Sequence, residues 1–206
     1  MTSSGPAAPP LRRRGEHMRQ AVLAAVVDLL SAEGLAGATV AAAARRAGVH
    51  ETSVYRRWKT RENLILDALT TRLDTALPIP DTGEVREDLV RFFGSLARLL
   101  GTAEGRALLR LSVERDDTLD GRRGPYWSER LARAAVMVRR GVERGELAVD
   151  TDAALLVEAV SGPLFARVLL SGAPLEETLA PRLVDLALRG AASRQDGTAT
   201  AARDGA

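Results

Sequence analysis

The sequence predicts an all-α fold, and three observations carry that prediction. Apolar residues recur at helical spacing along most of the chain, with no alternating apolar–polar run of useful length. Apolar residues make up 46% of the 206 but aromatics only 3%, so the core must be built from Leu, Val and Ala, which suit helices better than sheets. Glycine, proline and N-capping residues fall between the periodic segments, where helices stop and start. The expected organisation is an arm over residues 1–15, a first helical unit over 16–80, a larger one over 81–190 and a tail over 191–206.

Residues 1–15 (MTSSGPAAPPLRRRG) are low in complexity and rich in proline, so a disordered basic arm is expected. The first helix is expected over 16–33, with Val22, Ala25, Val26, Leu29 and Leu30 as its apolar stripe and Gly34 as a left-handed C-cap. Thr39 is a good N-cap for a short helix over 40–46. Gly48 interrupts, and a third short helix is expected over 51–58. Thr60 can cap a fourth over 61–77, with Ile65, Leu69 and Leu73 on one face. Pro78 and Pro80 end it.

The second unit reads as helices over 84–100 and 103–115, then a polar loop, DDTLDGRRG, over 116–124. Pro125 suits the first position of the next helix, which Gly145 ends. Asp150 or Thr151 can cap a long helix reaching Ser171, kinked where Gly162-Pro163 removes a backbone bond. A last helix is expected over 175–189, and the tail beyond it has no periodicity.

Several classes of function are excluded by composition. The chain has no cysteine and two histidines, His17 and His50, which leaves little for a disulfide, a thiolate site or a transition-metal centre. No metal or cofactor is expected. There is no Gly-rich phosphate loop, nucleophile elbow or metal-spaced histidine pair, so no enzyme is expected. No uninterrupted apolar run approaches the ~20 residues that span a bilayer, and no signal peptide opens the chain, so a cytoplasmic protein without a membrane partner is expected.

Charge is distributed unevenly. Residues 1–80 hold 11 Lys and Arg against 7 Asp and Glu, whereas residues 81–190 hold 16 against 18. Between 39 and 61 the cations outnumber the acids six to one. Such a block is the footprint of a polyanion contact. Two short helices joined across Ala47-Gly48-Val49 are too short to stand alone and must pack on their neighbours. Gly48 supplies the turn, Val54 and Trp58 face inward, and the pair forms a helix-turn-helix whose second helix fits a major groove. Glu51, Thr52 and Ser53 then open the recognition helix, where short polar residues reach base edges, and His50 stands at its start, compatible with phosphate contact. Arg56 can reach a guanine or a phosphate, and Tyr55, Arg57 and Lys59 are placed for phosphate oxygens. Thr39 and Arg61 sit at helix starts, where backbone N–H groups bind phosphate. Arg12, Arg13 and Arg14 offer an arm for a minor groove. The alternative for the whole block is a helical interaction module whose basic face meets an acidic protein.

The stretch TVAAAARRAGVHETSVYRRWKTRENLILDAL resembles the DNA-binding segment of TetR-type transcriptional regulators. Thr39, Ala47, Gly48, Val49, Val54, Tyr55, Trp58, Thr60, Arg61, Glu62 and Leu64 fit the family pattern, and with the first helix the match spans residues 16–70. It departs at His50, where serine is common, and at Arg57, where histidine is common. The segment SGPLFARVLLSGAPLEE, 161–177, also resembles the dimerisation region of one branch. The resemblance implies a helix-turn-helix DNA-binding unit joined by a linking helix to a helical effector-binding and dimerisation domain, and a homodimeric repressor relieved by a small molecule.

The last two helices carry more apolar residues than one face needs. Leu156, Val160, Leu164 and Val168 form one stripe, and Leu175, Leu179, Leu183 and Leu186 another, so an isologous dimer built as a four-helix bundle is expected, binding a palindromic site in double-stranded DNA. Phe92, Leu96, Leu99, Leu109, Trp127, Leu131, Met137 and Phe165 are the candidate walls of a pocket for an apolar effector.

Overall fold

The computed structural model describes residues 11–113 and 120–192. Among these residues every regular element is a helix. They divide into two compact units, Met1–Leu73 and Asp74–Ala206, with the boundary inside the fourth helix and ahead of the two prolines.

The first unit contains α1 (Leu11–Gly37), α2 (Val40–Ala47), α3 (Glu51–Trp58) and the start of α4 (Arg61–Ala76). Residues 11–15, expected in the arm, belong to α1, and the rest of that arm lies outside the described residues. Gly34 breaks α1 with φ 70° and ψ −167°, a conformation in which any Cβ is strained. The expected α1 stripe is buried, and of the expected α4 stripe Ile65 and Leu69 are buried and Leu73 is half-buried. Val22, Val26, Leu29 and Leu30 of α1, Ala43 of α2, Val54 and Trp58 of α3, and Leu64, Ile65 and Ala68 of α4 are all buried. Burial of each larger aliphatic side chain contributes about 1.5–3 kcal/mol, and this holds α2 and α3 in place, since eight residues apiece are too few for a stable isolated helix.

The second unit is arranged around α5 (Val85–Gly101), which packs against α6 (Ala103–Val113), α7 (Asp120–Glu143), α8 (Ala153–Ala166) and α9 (Leu179–Ala192). Leu89, Phe93, Met137, Val138, Val160, Leu164 and Val184 are sealed from solvent at its centre. Gly141 allows α7 to lie close to the start of α5: a Cβ there would come within 2.8 Å of the Val85 side chain.

Four element expectations are corrected. The helix expected to open at Pro125 starts at Asp120, so Pro125 lies inside it, and residues 120–124 of the expected loop are helical; residues 116–119 lie outside the described residues. The cap of α8 is Asp152, whose carboxylate accepts the Ala154 and Leu155 N–H groups at 3.1 and 3.0 Å. The long helix to Ser171 changes character after Ala166, where Arg167–Ser171 form a π-helical turn closed by the Gly172 N–H donating to the Arg167 carbonyl. Finally α9 starts at Leu179, leaving Leu175 in the connecting segment.

The expected dimer stripe is corrected too. Leu156, Val160, Leu164 and Leu179 are buried within their own unit, and Val168, Leu175 and Leu183 are half-buried. Four of the eight stripe residues therefore face inward within their own chain. Leu186, the remaining member of the expected stripe, is exposed by 65%, and Leu155 and Leu170, outside it, by 52% and 85%. By length and composition two helical stretches, Gly15–Gly37 and Ala153–Ser171, also match a membrane-crossing segment, which a count of uninterrupted apolar runs did not register. In the first of them Val22, Val26 and Leu30 belong to the core of the first unit.

Candidate nucleic-acid interface

The short-helix pair is built by caps at each end. The Thr39 hydroxyl accepts the Ala42 N–H at 3.1 Å and opens α2. Gly48 closes it in the left-handed region (φ 66°, ψ 33°), with its N–H directed at the Ala44 and Arg45 carbonyls. His50 stands at the N-cap of α3 without a side-chain cap bond; the Ser53 N–H donates to its carbonyl at 2.9 Å.

The two sides of α3 are chemically opposite. Val54 is fully buried and Trp58 is 6% exposed. Glu51, Thr52, Tyr55, Arg56, Arg57 and Lys59 are exposed, and Ser53 is half-buried. Lys59 has φ 67° and ψ −43°, which makes it the only described non-glycine residue with positive φ. The Thr60 N–H donates back to the Trp58 carbonyl at 2.8 Å, so Lys59 is the centre of a tight γ-turn, a conformation that stores strain. The strain places an ammonium group at the end of the recognition helix.

Behind α3 lies an ion network that sequence reasoning missed. The Trp58 indole N–H donates to Asp67 Oδ2 at 2.8 Å, and Arg19 donates to Asp67 Oδ1 at 2.6 Å and to the Thr71 hydroxyl at 3.0 Å. Burial pushes the Asp67 carboxyl up, but the hydrogen bonds from Arg19 and Trp58 outweigh it and hold the group below its ordinary range. The hydrogen bond that Arg19 donates to Asp67 in turn keeps Arg19 more firmly protonated. Arg19 also reaches Glu16 at 3.4 Å, and Glu16 lies 4.0 Å from Arg57. One signal was available: a buried indole needs an acceptor, and Asp67 stands three residues after the inward-facing Leu64 on α4.

Among the expected DNA contacts, Arg61 differs in its side chain. Its guanidinium donates to the Ala38 carbonyl at 3.0 Å and to the Leu35 carbonyl, tying α4 to the end of α1. The side chains of Arg12, Arg13 and Arg14 lie outside the described residues.

The expected pocket residues fall in two groups. Phe92, Leu96, Leu109 and Met137 are buried core, while Leu99, Trp127, Leu131 and Phe165 are half-buried. The structure brings Trp127 and Phe165 together edge to face at 5.9 Å. Beside them the Tyr126 hydroxyl is buried without a hydrogen-bond partner, and burial pushes its pKa up to about 12. A separate cavity of about 300 Å³ opens between Asp150–Asp152, Leu155, Leu156 and Ala159 on one side and Ala187 and Gly190 on the other.

An eight-residue helix capped by threonine, a glycine turn and a second short helix with a cationic outer side define a helix-turn-helix DNA-binding protein. Comparison with known proteins agrees. A family model described as bacterial regulatory proteins, tetR family, matches residues 22–68, and one for the tetracyclin repressor-like C-terminal domain matches residues 79–187. The chain belongs to the TetR family of transcriptional regulators. It is 37% identical over 179 residues to the HTH-type transcriptional regulator AqdR of Rhodococcus erythropolis, covering 86% of each chain. It is 33% identical over 178 residues to the DNA-binding transcriptional repressor TetR of Mycobacteroides abscessus, covering 84% of this chain and 92% of that one. The crystal structure of the TetR family transcription regulator SCO0332 matches with a TM-score of 0.70 at 32% identity, over 84% of this chain and 98% of that one.

Proposed function

We propose that this DNA-binding regulator acts in the cytoplasm as a homodimeric repressor, released from a palindromic operator by a small, mainly apolar molecule. The observation that carries the reading is the division of α3, with Val54 and Trp58 buried and Thr52, Tyr55, Arg56, Arg57 and Lys59 exposed. In the groove, Glu51, Thr52 and Ser53 meet base edges, Arg56 a guanine or a phosphate, and His50, Tyr55, Arg57 and Lys59 phosphate oxygens. The Thr39 hydroxyl accepts its cap bond and keeps its own proton to donate to a phosphate. Arg61 contributes through its position at the start of α4, its guanidinium being committed elsewhere.

Two copies meet through the outer sides of α8, the π-turn and α9, where Leu155, Leu170 and Leu186 are exposed. Two recognition helices then read half-sites one helical turn or more apart, on the order of 35 Å. Effector binds among the half-buried Leu99, Trp127, Leu131 and Phe165, and favours a dimer whose helices no longer match that spacing. Moving such an equilibrium from 1:99 to 99:1 takes about 5.5 kcal/mol of differential affinity.

Selection of bound duplexes from a random pool tests the proposal. An enriched palindrome is the expected result. Retention of an acidic protein in place of any duplex is the outcome that favours an interaction module.

A further inference from the structure

An eight-residue recognition helix has little hold on its own orientation. Val54 and the Trp58 ring bury its inner side, but hydrophobic burial is non-directional and does not by itself fix rotation. The last turn, which carries Tyr55, Arg57 and Lys59, needs a directional bond. The structure supplies one at Trp58, whose indole N–H meets Asp67 Oδ2 at 2.8 Å.

We infer that Asp67 is a positioning residue for DNA recognition, holding the last turn of α3 through the Trp58 indole and through an alternating-charge chain that ends at Arg57. The chain runs from Asp67 Oδ1 to Arg19 at 2.6 Å, from Arg19 to Glu16 at 3.4 Å, and from Glu16 to Arg57 at 4.0 Å. The Arg57 guanidinium also lies 5.7 Å from the centre of the Trp58 ring, so both routes converge on one turn. Asp67 is itself an anion and half-buried, which makes it no phosphate contact. Its carboxylate sets the place of the contacts that fix the register of α3 on a matching duplex, and through that register the base readout by Thr52 and Ser53. The inference rests on α3 being the DNA-facing helix.

The test uses the full chain and two labelled duplexes: one enriched by the wild-type protein from a random pool, and a scrambled version of it. Asp67→Asn keeps the size of the side chain and removes its charge. Affinity for the enriched duplex is expected to fall about tenfold, the order lost with one charge-assisted hydrogen bond. Affinity for the scrambled duplex stays unchanged, so discrimination shrinks. The salt slope stays the same, because no phosphate contact has been removed. Trp58→Phe, which deletes the donor and keeps most of the ring, produces a similar loss, and the double variant is no worse than either single one. Melting curves give the folded fraction, and affinities are compared per folded chain. Where Asp67→Asn does not fold, Trp58→Phe carries the test alone. The proposal is overturned if folded variants keep wild-type discrimination, if the two losses add, or if both duplexes weaken in parallel. Failure of the wild-type protein to tell the two duplexes apart is a different result, and overturns the assignment of α3 itself.

Discussion

Tyr55, Arg57 and Lys59 share one end of α3, and the physics distinguishes what each does there. In the proposed complex Arg57 offers a guanidinium to a phosphate oxygen, so Arg57→Ala should weaken binding to every duplex and lower the salt slope by about one. Filter-binding titrations at several salt concentrations measure both, and an unchanged slope rules out the phosphate role. Lys59 has a second property, its left-handed backbone. Lys59→Gly should relieve strain and raise stability by about 1 kcal/mol while weakening DNA binding through loss of the ammonium. Thermal melts beside binding curves show whether the two effects part in this way; a lower melting temperature contradicts the strain argument. Most of these residues were legible in the sequence, because a glycine turn, a buried Val-Trp pair and a run of cations identify the outward side by elimination. Arg19 and Asp67 were not. Their roles come from contacts between residues 48 positions apart, which no local pattern records.

At the scale of elements, helix ends were read best where a side chain performs the cap. Thr39 and Gly48 behave as expected, since a threonine hydroxyl and a positive φ act locally. Starts at Pro125 and Leu175 were misplaced, because proline is tolerated inside α7 and because α9 starts only at Leu179. Close helix contacts were invisible from spacing. Gly141→Ala should destabilise the second unit by about 1–3 kcal/mol, since its new methyl meets Val85, and Val85→Ala in the same chain should restore part of the loss. Urea unfolding of the three variants decides it. The end of α4 gives a pH prediction. Burial pushes the Asp74 carboxyl up, but hydrogen bonds from Arg133 and Arg130 more than offset this and lower it. A carboxyl with a depressed folded pKa stabilises at pH above its ordinary value of 3.8, and that contribution is lost as pH falls through the folded value. Asp74→Asn should therefore flatten the acid limb of stability against pH, by less than about 1 kcal/mol for a pair this open to solvent. An acid limb as steep as that of the wild type excludes the assignment.

For the whole molecule, the two-unit plan and the all-helical class followed from periodicity and charge. The identity of the dimer face did not, because α8 is apolar on both sides and spacing alone cannot say which side its own chain covers. With Leu156, Val160 and Leu164 buried, the proposed partner face is Leu155, Leu170 and Leu186. Leu155→Asp with Leu186→Asp should give a folded monomer by light scattering, with operator affinity reduced far more than affinity for random DNA. Persistence of the dimer moves the interface elsewhere. The central claim is that α3 enters the groove, and the absence of native cysteine allows a direct measurement of it. Thr52→Cys, carrying a tethered iron chelate, should cut the selected duplex in two symmetric tracts about one helical turn or more apart, while the same chelate at Glu177→Cys should not. Diffuse cutting, equal from both positions, would contradict the account.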